Sequence, residues 1–512
     1  MYLPLPTPSE MSQWDRIAIE DYGLPGFTLM ETASREAVAA LLDDFGSVDG
    51  VEILCVAGGG NNGGDAFAMA RHLMDLGADV SVFHAKPKGS YRGEARSHLR
   101  LAQKVGVHLK HISAKDLKPS LQPDILIDGL LGTGFEGDLR DEASRMIKAM
   151  NRIGEGAFVL SIDIPSGLSG LTGKPQPIAV CADATATFEA AKLGLTLEDA
   201  PCFTGSLHVC EIGIPHRIQN NAPPKHWLIT PHVMSAVPPP CAAMHKGDAG
   251  HVLIVGGSSG MTGAPHLAAL GALRSGAGLV TIACPGGLAD SVKSGCADLM
   301  TLPLGKGSDW NSSLLSFLTE ELDRFDAVVV GPGIGREAKT VDFIQSFVAE
   351  CPAPLVVDAD ALYAVAQDAA MLDSMHERTI LTPHPGEMAR LTGLTSSAVQ
   401  ENRLEALELL MKAFRGTLVL KGAKTLVSDG DMNCVSPISA PNLSVGGSGD
   451  VLAGMIASLV GRGVPSLDAA CAAVYWHGLT GQTLAEEFPA RGNLATDIAN
   501  TLPTAAKEHI EC

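Results

Sequence analysis

The residues best suited to chemistry sit in short glycine-rich runs. Gly447-Ser448-Gly449-Asp450 comes just before a strongly apolar stretch at 451–460. Bare backbone N–H groups at such a helix start form a nest for an anion and stabilise charge developing on a transferring phosphoryl group. Asp450, beside them, is placed to take a proton from a hydroxyl. The rival reading is a glycine-rich cap in which Asp450 only complements the helix dipole. A second run, Gly58-Gly59-Gly60-Asn61-Asn62-Gly63-Gly64-Asp65, follows an apolar segment and opens a helix. Gly58, Gly60 and Gly63 fit the dinucleotide spacing G-x-G-x-x-G. The ordinary form of that site also needs a carboxylate closing the next strand, and 79–84 ends in Phe83-His84. An ordinary NAD-dependent dehydrogenase is disfavoured on that ground.

Three further loops in the first half end apolar segments. They are Asp128-Gly129-Leu130-Leu131-Gly132-Thr133-Gly134, Asp163-Ile164-Pro165-Ser166-Gly167 and Ala190-Ala191-Lys192-Leu193-Gly194. Carboxyl ends of parallel strands converge on one crevice, so these polar residues should meet there. Asn, Asp and Ser oxygens are hard ligands that suit a non-redox cation better than zinc. The alternative is that each Asp or Ser caps a turn or helix. The second half carries Gly331-Pro332-Gly333, Asp358-Ala359-Asp360, Thr382-Pro383-His384-Pro385-Gly386-Glu387 and Lys421-Gly422-Ala423-Lys424-Thr425. No G-x-x-x-x-G-K-[ST] run occurs, which argues against a P-loop NTPase.

The elements that must position these loops alternate. Strand-like runs at 51–56, 79–83, 125–128 and 158–164 are separated by helix-like stretches near 66–76, 94–105 and 143–153. Helices are also predicted from a Ser9 cap to Tyr22 and over 29–45, and edge strands at 184–188 and 207–212. The rhythm restarts with strands at 251–255, 279–284, 327–330, 355–358, 379–382 and 417–421. Strand–helix alternation predicts α/β folding with parallel sheets covered on both faces. Seven prolines between Pro215 and Pro240 mark a connector. Two domains are expected, 1–225 and 226–512.

The 512 residues, 46% hydrophobic and 18% charged, suffice for two or three cores. A net charge of −20 excludes a duplex-binding surface, so no nucleic-acid partner is expected. The absence of a long apolar run and of a signal-like start leads to the expectation of a cytoplasmic protein without a membrane partner. The 11 scattered cysteines, without any Cys-x-x-Cys, read as free thiols.

Asn61-Asn62-Gly63-Gly64-Asp65, the Asp128 to Gly134 loop and Asp163-Ile-Pro-Ser-Gly167 together resemble the NAD(P)H-hydrate epimerase domain over about 9–215. That resemblance implies a Rossmann-like three-layer αβα sandwich and K+ held by Asn62, Asp128 and Ser166. It implies substrate against Asn61, Asn62, Gly63, Gly64 and Asp65, against Gly132, Thr133, Gly134, Phe135, Glu136, Gly137 and Asp138, and against Asp163. Asp163 and Lys192 are the acid–base candidates. Ala66 stands where the family usually has Gly.

The second half, about 227–505, resembles the ADP-dependent NAD(P)H-hydrate dehydratase domain, a ribokinase-like αβα fold. Nucleotide would bind at Lys421, Gly422, Ala423, Lys424 and Thr425 and at Gly446, Gly447, Ser448 and Gly449. The hydrate would face Gly333, His384, Pro385, Gly386, Glu387 and Asp450, with Asp450 as base. The family often has Asn-Pro before the glycine run; here Ala440-Pro441-Asn442 displaces the Asn, and neither residue is given a role.

Together the halves resemble the bifunctional NAD(P)H-hydrate repair family. The resemblance implies substrates NADHX and NADPHX, the R and S epimers interconverted, and the S form dehydrated with ADP to give AMP and phosphate. Mg2+ is expected from the ordinary needs of phosphoryl transfer, and a homo-oligomer is expected. Two rivals remain: a vitamin or sugar kinase with an appended α/β domain, and a non-catalytic dinucleotide-binding scaffold.

Overall fold

The computed structural model describes residues 1–510 except 135, 136, 138, 242 and 490. The chain forms two compact units. One is Pro4–His226; the other combines Met1–Leu3 with Trp227–Cys512. The chain thus starts with a strand, β1 (Tyr2–Pro4), at the edge of the second unit's sheet.

The first unit holds β2 (Glu52–Ala57), β3 (Asp79–His84), β4 (His108–His111), β5 (Ile125–Gly129), β6 (Phe158–Ile162), β7 (Ala184–Phe188) and β8 (Ser206–Cys210). Their spatial order is β4-β3-β2-β5-β6-β7-β8, and every neighbour pair is parallel. Alternate residues of β2 serve the two faces: Ile53, Cys55 and Ala57 join one apolar cluster, Leu54 and Val56 another. The first cluster is closed by helices Gly26–Phe45, Asn61–Asp75 and Gly93–Val105, the second by Asp141–Gly154. This is the expected αβα sandwich. Strand order reverses between β2 and β5, and a crevice opens at the carboxyl ends of strands at such a point.

Several local expectations are corrected. The first helix is Pro8–Glu20, capped by Thr7 rather than Ser9. Pro8 fills its first turn, and Glu10 returns a bond to the Thr7 N–H at 2.7 Å. The run 184–188 is an inner strand, flanked by β6 and β8; only β8 is an edge. The third helix starts at Asn61, well before Ala66. Gly63 makes this possible, because a Cβ there would lie 2.1 Å from the Gly58 carbonyl oxygen.

The second unit adds β9 (His226–Ile229), β10 (His251–Val255), β11 (Leu279–Pro285), β12 (Met300–Leu304), β13 (Ala327–Val330), β14 (Leu355–Val357), β15 (Thr379–Leu381), β16 (Thr417–Leu420), β17 (Leu426–Ser428) and β18 (Asn433–Val435). The sheet runs β1-β9-β18-β17-β16-β15-β14-β13-β10-β11-β12. From β12 to β16 all pairs are parallel; β16–β17 and β17–β18 are antiparallel. Helices Gly263–Arg274 and Ser448–Gly461 cross at backbone contact. A Cβ on Gly454 would lie 1.8 Å from the Ala268 carbonyl oxygen, so no larger residue fits. That crossing fixes where the Ser448 end of the buried helix points. The ten described cysteines form no disulfide, although Cys181, Cys202 and Cys241 are exposed. Among the described residues no helix is long and apolar enough to cross a membrane.

Candidate active sites

In the first unit a cavity of about 530 Å3 opens at the carboxyl ends of the strands. Asn61, Asn62, Asp65, Gly132, Thr133, Gly134, Asp163 and Lys192 all line it. Gly63 and Gly64 do not: Gly63 packs on the Gly58 backbone, and Gly64 on Met30 and Ala95. Gly137 is also off the wall, and the expectations at Phe135, Glu136 and Asp138 lie outside the described residues.

Asp163 follows β6 with φ +65°, a strained position for a side-chain-bearing residue and one often found at working sites. Its carboxylate accepts from Lys192 Nζ at 2.6 Å and from Thr133 Oγ1 at 3.2 Å. Lys192 is 1% exposed and also donates to Thr187 Oγ1 at 3.0 Å and the Phe188 carbonyl at 2.9 Å. An ammonium has three N–H donors, so all three are used. Lys192 therefore holds Asp163 in place and has no donor left for a ligand.

Three further carboxyls, Asp65, Asp15 and Glu94, line this cavity without a side-chain hydrogen bond among the described residues. Burial pushes Asp65 well above the ordinary carboxyl range, reinforced by Asp163 and Asp15. Burial also lifts Asp15 to about 6, with Lys192 pulling down and Asp163 and Glu189 pushing up. Asp15 comes from helix Pro8–Glu20 and escaped the sequence reading, where it looks like any polar residue of an amphipathic helix.

Beneath the cavity lies a knot of hard oxygens. The buried Asp128 carboxylate accepts from Ser166 Oγ at 2.6 Å, Ser166 N at 2.8 Å, Ser161 Oγ at 3.0 Å and Leu130 N at 3.2 Å. Burial raises its pKa, and these hydrogen bonds oppose the rise. Asn62 turns its amide N–H groups onto the carbonyls of Leu131 at 3.0 Å and Ile162 at 2.7 Å. Its carbonyl oxygen then faces a space that a Cβ on Gly132 would fill, 2.3 Å away.

In the second unit a cavity of about 660 Å3 gathers Asp358, His384, Pro385, Glu387, Lys421, Gly422, Ala423, Thr425, Gly447, Ser448, Gly449 and Asp450. Gly333, Gly386, Lys424 and Gly446 are not on its wall. Gly333 is tied to Ser258 Oγ through its carbonyl at 2.8 Å, and the Lys424 ammonium turns onto the Pro437 carbonyl. Gly447 opens helix Ser448–Gly461 with φ +91°, leaving the first N–H groups of the helix without intrahelical partners. Lys421 lies against Gly449, with its Nζ 3.1 Å from where a Cβ would be.

Lys421 Nζ donates to Asp358 Oδ1 at 2.7 Å and stands 4.0 Å from Glu387 Oε2. Burial alone would lower the Lys421 pKa, but Asp358 and Glu387 outweigh it, so the ammonium stays charged. Asp358 also accepts from Thr382 Oγ1 at 2.7 Å. The sequence singled out its strand-end loop without assigning it a role. Asp450 accepts no hydrogen bond from the described residues. Burial, then Asp358, pushes it to about 7, with Lys421 opposing. A carboxyl with a pKa near neutrality and no partner fits the needs of a general base.

Residues 26–194 match the family described as YjeF-related protein N-terminus, and residues 252–504 match the family described as NAD(P)H-hydrate dehydratase. A bifunctional NAD(P)H-hydrate repair enzyme of Moorella thermoacetica is 38% identical over 98% of this chain and 96% of its own. The chain belongs to the bifunctional NAD(P)H-hydrate repair enzyme family. The Escherichia coli (strain K12) repair enzyme is 32% identical over 96% of this chain and 92% of its own. A ribokinase-like superfamily protein of Enterococcus faecalis V583 covers 56% of this chain and 96% of its own at TM-score 0.50 and 24% identity. That likeness speaks to the fold of the second unit. The second cavity lies within the segment 252–504, and the first lies mostly within 26–194, with Asp15 among the lining residues outside it.

Proposed function

We propose that the first unit interconverts the R and S epimers of NADHX and NADPHX. The second unit then returns the S form to NADH or NADPH with ADP as phosphoryl donor, giving AMP and phosphate. The observation that carries this reading is the second cavity. There an unpaired carboxyl, Asp450, sits beside a helix start at Gly447, and Lys421 stands against Gly449.

Water adds to the enamine double bond of a reduced nicotinamide ring with the hydroxyl on the carbon bonded to nitrogen. Hydroxide is a poor leaving group, and phosphate is a better one. Asp450 takes the proton of that hydroxyl as its oxygen attacks the terminal phosphorus of ADP. Charge on the phosphoryl oxygens meets the N–H groups of Gly447 and Gly449 and the Lys421 ammonium. Loss of phosphate then reopens the route to the ring double bond. Mg2+, brought with the nucleotide rather than held by a dedicated cluster of the described residues, would supply further charge neutralisation for the phosphoryl group.

In the first unit Asp163, held by Lys192 and Thr133, takes the hydroxyl proton as the carbinol C–N bond breaks to an aldehyde. The freed ring nitrogen takes a proton from an acid on the wall, and re-closure on the opposite face inverts the carbon. Asp65, which burial pushes well above the ordinary carboxyl range, supplies the acid on the same cavity wall. K+ fits the oxygens of Asn62, Asp128 and Ser166, because Asp128 is a buried carboxylate with no cationic side chain on it among the described residues. Such an ion would neutralise Asp128 and stiffen the loops that follow β5 and β6.

The test is to incubate the chain with a mixed-epimer hydrate, ADP, Mg2+ and K+. Complete return of reduced-nicotinamide absorbance is expected. Return of only the S share removes the epimerase reading. A stable phosphorylated product that accumulates replaces the dehydratase with a kinase.

A further inference from the structure

Restoring the ring requires two proton removals. One is from the hydroxyl, assigned above to Asp450. The other is from the carbon next to the carbinol carbon, since the double bond re-forms between those two atoms. The groups on the wall of the second cavity can be sorted by what they already hold. Asp358 is ion-paired with Lys421 and accepts from Thr382. His477 contacts Ser448 Oγ at 3.2 Å, and burial depresses its pKa to about 4, too low for a useful base. His384 is mostly exposed, and its Nδ1 accepts the Gly386 N–H at 2.9 Å.

Glu387 differs from all of these. Its residue is 5% exposed. Its Oε2 accepts the His384 N–H at 2.8 Å, which fixes the carboxylate. Its Oε1 has only the His384 Nε2 at 3.5 Å, beyond a good hydrogen bond. One oxygen is anchored, and the other, on a residue that lines the cavity, carries no hydrogen bond among the described residues.

We propose that Glu387 is the base that removes the proton from the carbon beside the carbinol carbon, completing the elimination. This rests on the dehydratase reading above. The C–H electron pair becomes the ring double bond, the C–O bond to phosphate breaks with its pair leaving on phosphate, and the proton goes to Glu387. No oxidant or further co-reactant is required. The charges around Glu387 suit the task. Burial raises its pKa to about 7, with Lys421 lowering it, Asp358 raising it, and the His384 N–H and Arg336 lowering it again. Asp450 shares the same field.

The helix cap offers a clean control. Glu387 closes the capping box of helix Pro385–Thr392, and Gln fills that position as well as Glu. The full-length chain carrying Glu387→Gln is given the S hydrate, ADP and Mg2+, and AMP, phosphate and reduced nicotinamide are followed together. The parent should give one AMP per restored ring. In Glu387→Gln ring recovery should fall by about 10²–10⁴-fold, while AMP formation falls far less, so AMP per ring rises above one. Glu387→Asp, which keeps a capping carboxylate one methylene shorter, should shift the ratio in the same direction by less. A ratio that stays at one in both variants, whether the rates fall together or not at all, overturns the assignment. A parent that restores no ring overturns the dehydratase reading, and the role of Glu387 with it.

Discussion

Each cavity contains a lysine bonded to a strand-end aspartate, and the two pairs are used in opposite ways. Asp163–Lys192 is 2.6 Å long and Asp358–Lys421 is 2.7 Å. Lys192 is buried, and its three donors go to Asp163, Thr187 and Phe188. Lys421 keeps 18% of its side chain exposed and, among the described residues, hydrogen-bonds only Asp358, with Glu387 4.0 Å away. In the first unit the cation serves the carboxylate, which stays oriented in a buried place. In the second the carboxylate serves the cation, which keeps donors free for a phosphate. On the function proposed above, the same two residue types support proton handling in one unit and anion handling in the other. The number of protein acceptors around the nitrogen decides between them.

The largest effect expected is on proton handling in the second unit. Asp450→Asn keeps size and capping ability, and dehydration should fall by about 10²–10⁴-fold, or roughly 3–5 kcal/mol of barrier. Epimerisation should be unchanged, and ADP should still bind. Dehydration within threefold of the parent would reduce Asp450 to a helix cap.

Breaking the two lysine pairs tests the comparison itself. Lys192→Met strands a buried carboxylate, which costs about 3–5 kcal/mol, or roughly 6–20 °C in the first unit's melting transition. Lys421→Met strands Asp358, which is 1% exposed, so the second unit's melting should fall as well. This variant has a second effect, a loss of ADP affinity of about 10–100-fold, the worth of a charged hydrogen bond or two. Calorimetry and ADP titration read both variants. A large melting loss for Lys421→Met with intact ADP binding would erase the contrast.

A smaller effect separates the sites by pH. Asp450 must be ionised to act, and its pKa is raised to about 7. The ionised share therefore grows as pH rises through 7, and dehydration should drop at least about tenfold from pH 8 to pH 6, since Glu387 titrates in the same direction. An ordinary carboxylate would stay ionised over that range. A flat profile at saturating ADP and hydrate would remove Asp450 as the base.

Much of this was legible in the residues. Long apolar runs such as 51–56 and 327–330 announce inner parallel strands, and the glycine-rich loops after them mark both cavities. What escaped was short or depended on distant packing. β18 is only Asn433–Val435, and β4 mixes His108, Lys110 and His111 with a single leucine, so neither has a readable pattern. The helix at Asn61 starts in residues with poor helical propensity, and only its contact with the Gly58 backbone explains the glycines. The sequence places Lys192 near Asp163, but it cannot count the acceptors that tie up its ammonium. Asp15 becomes interesting only once its helix lines a cavity.

The smallest effect concerns β1. Removing residues 1–3 deletes an edge strand and the Tyr2 OH bond to Asp468 Oδ1 at 2.6 Å. The loss should be about 1 kcal/mol, or roughly 2–4 °C in the second unit's transition, with the first unit's unmoved. A shift in the first transition alone would place the strand with the wrong unit.

That strand also orders events during synthesis. Tyr2–Pro4 pairs only with β9, and the Met1 carbonyl meets Thr230 Oγ1 across 229 residues of chain. A nascent polypeptide must carry these residues unpaired while all of Pro4–His226 leaves the ribosome. The first unit has its whole sheet by then, whereas the second completes its edge only by reaching back to residues made long before. A fusion tag joined at residue 1 would hang from the phosphoryl-transfer sheet, although epimerase residues follow it in sequence. A protease cutting after His226 would likewise release a first fragment still holding a strand that belongs to the second.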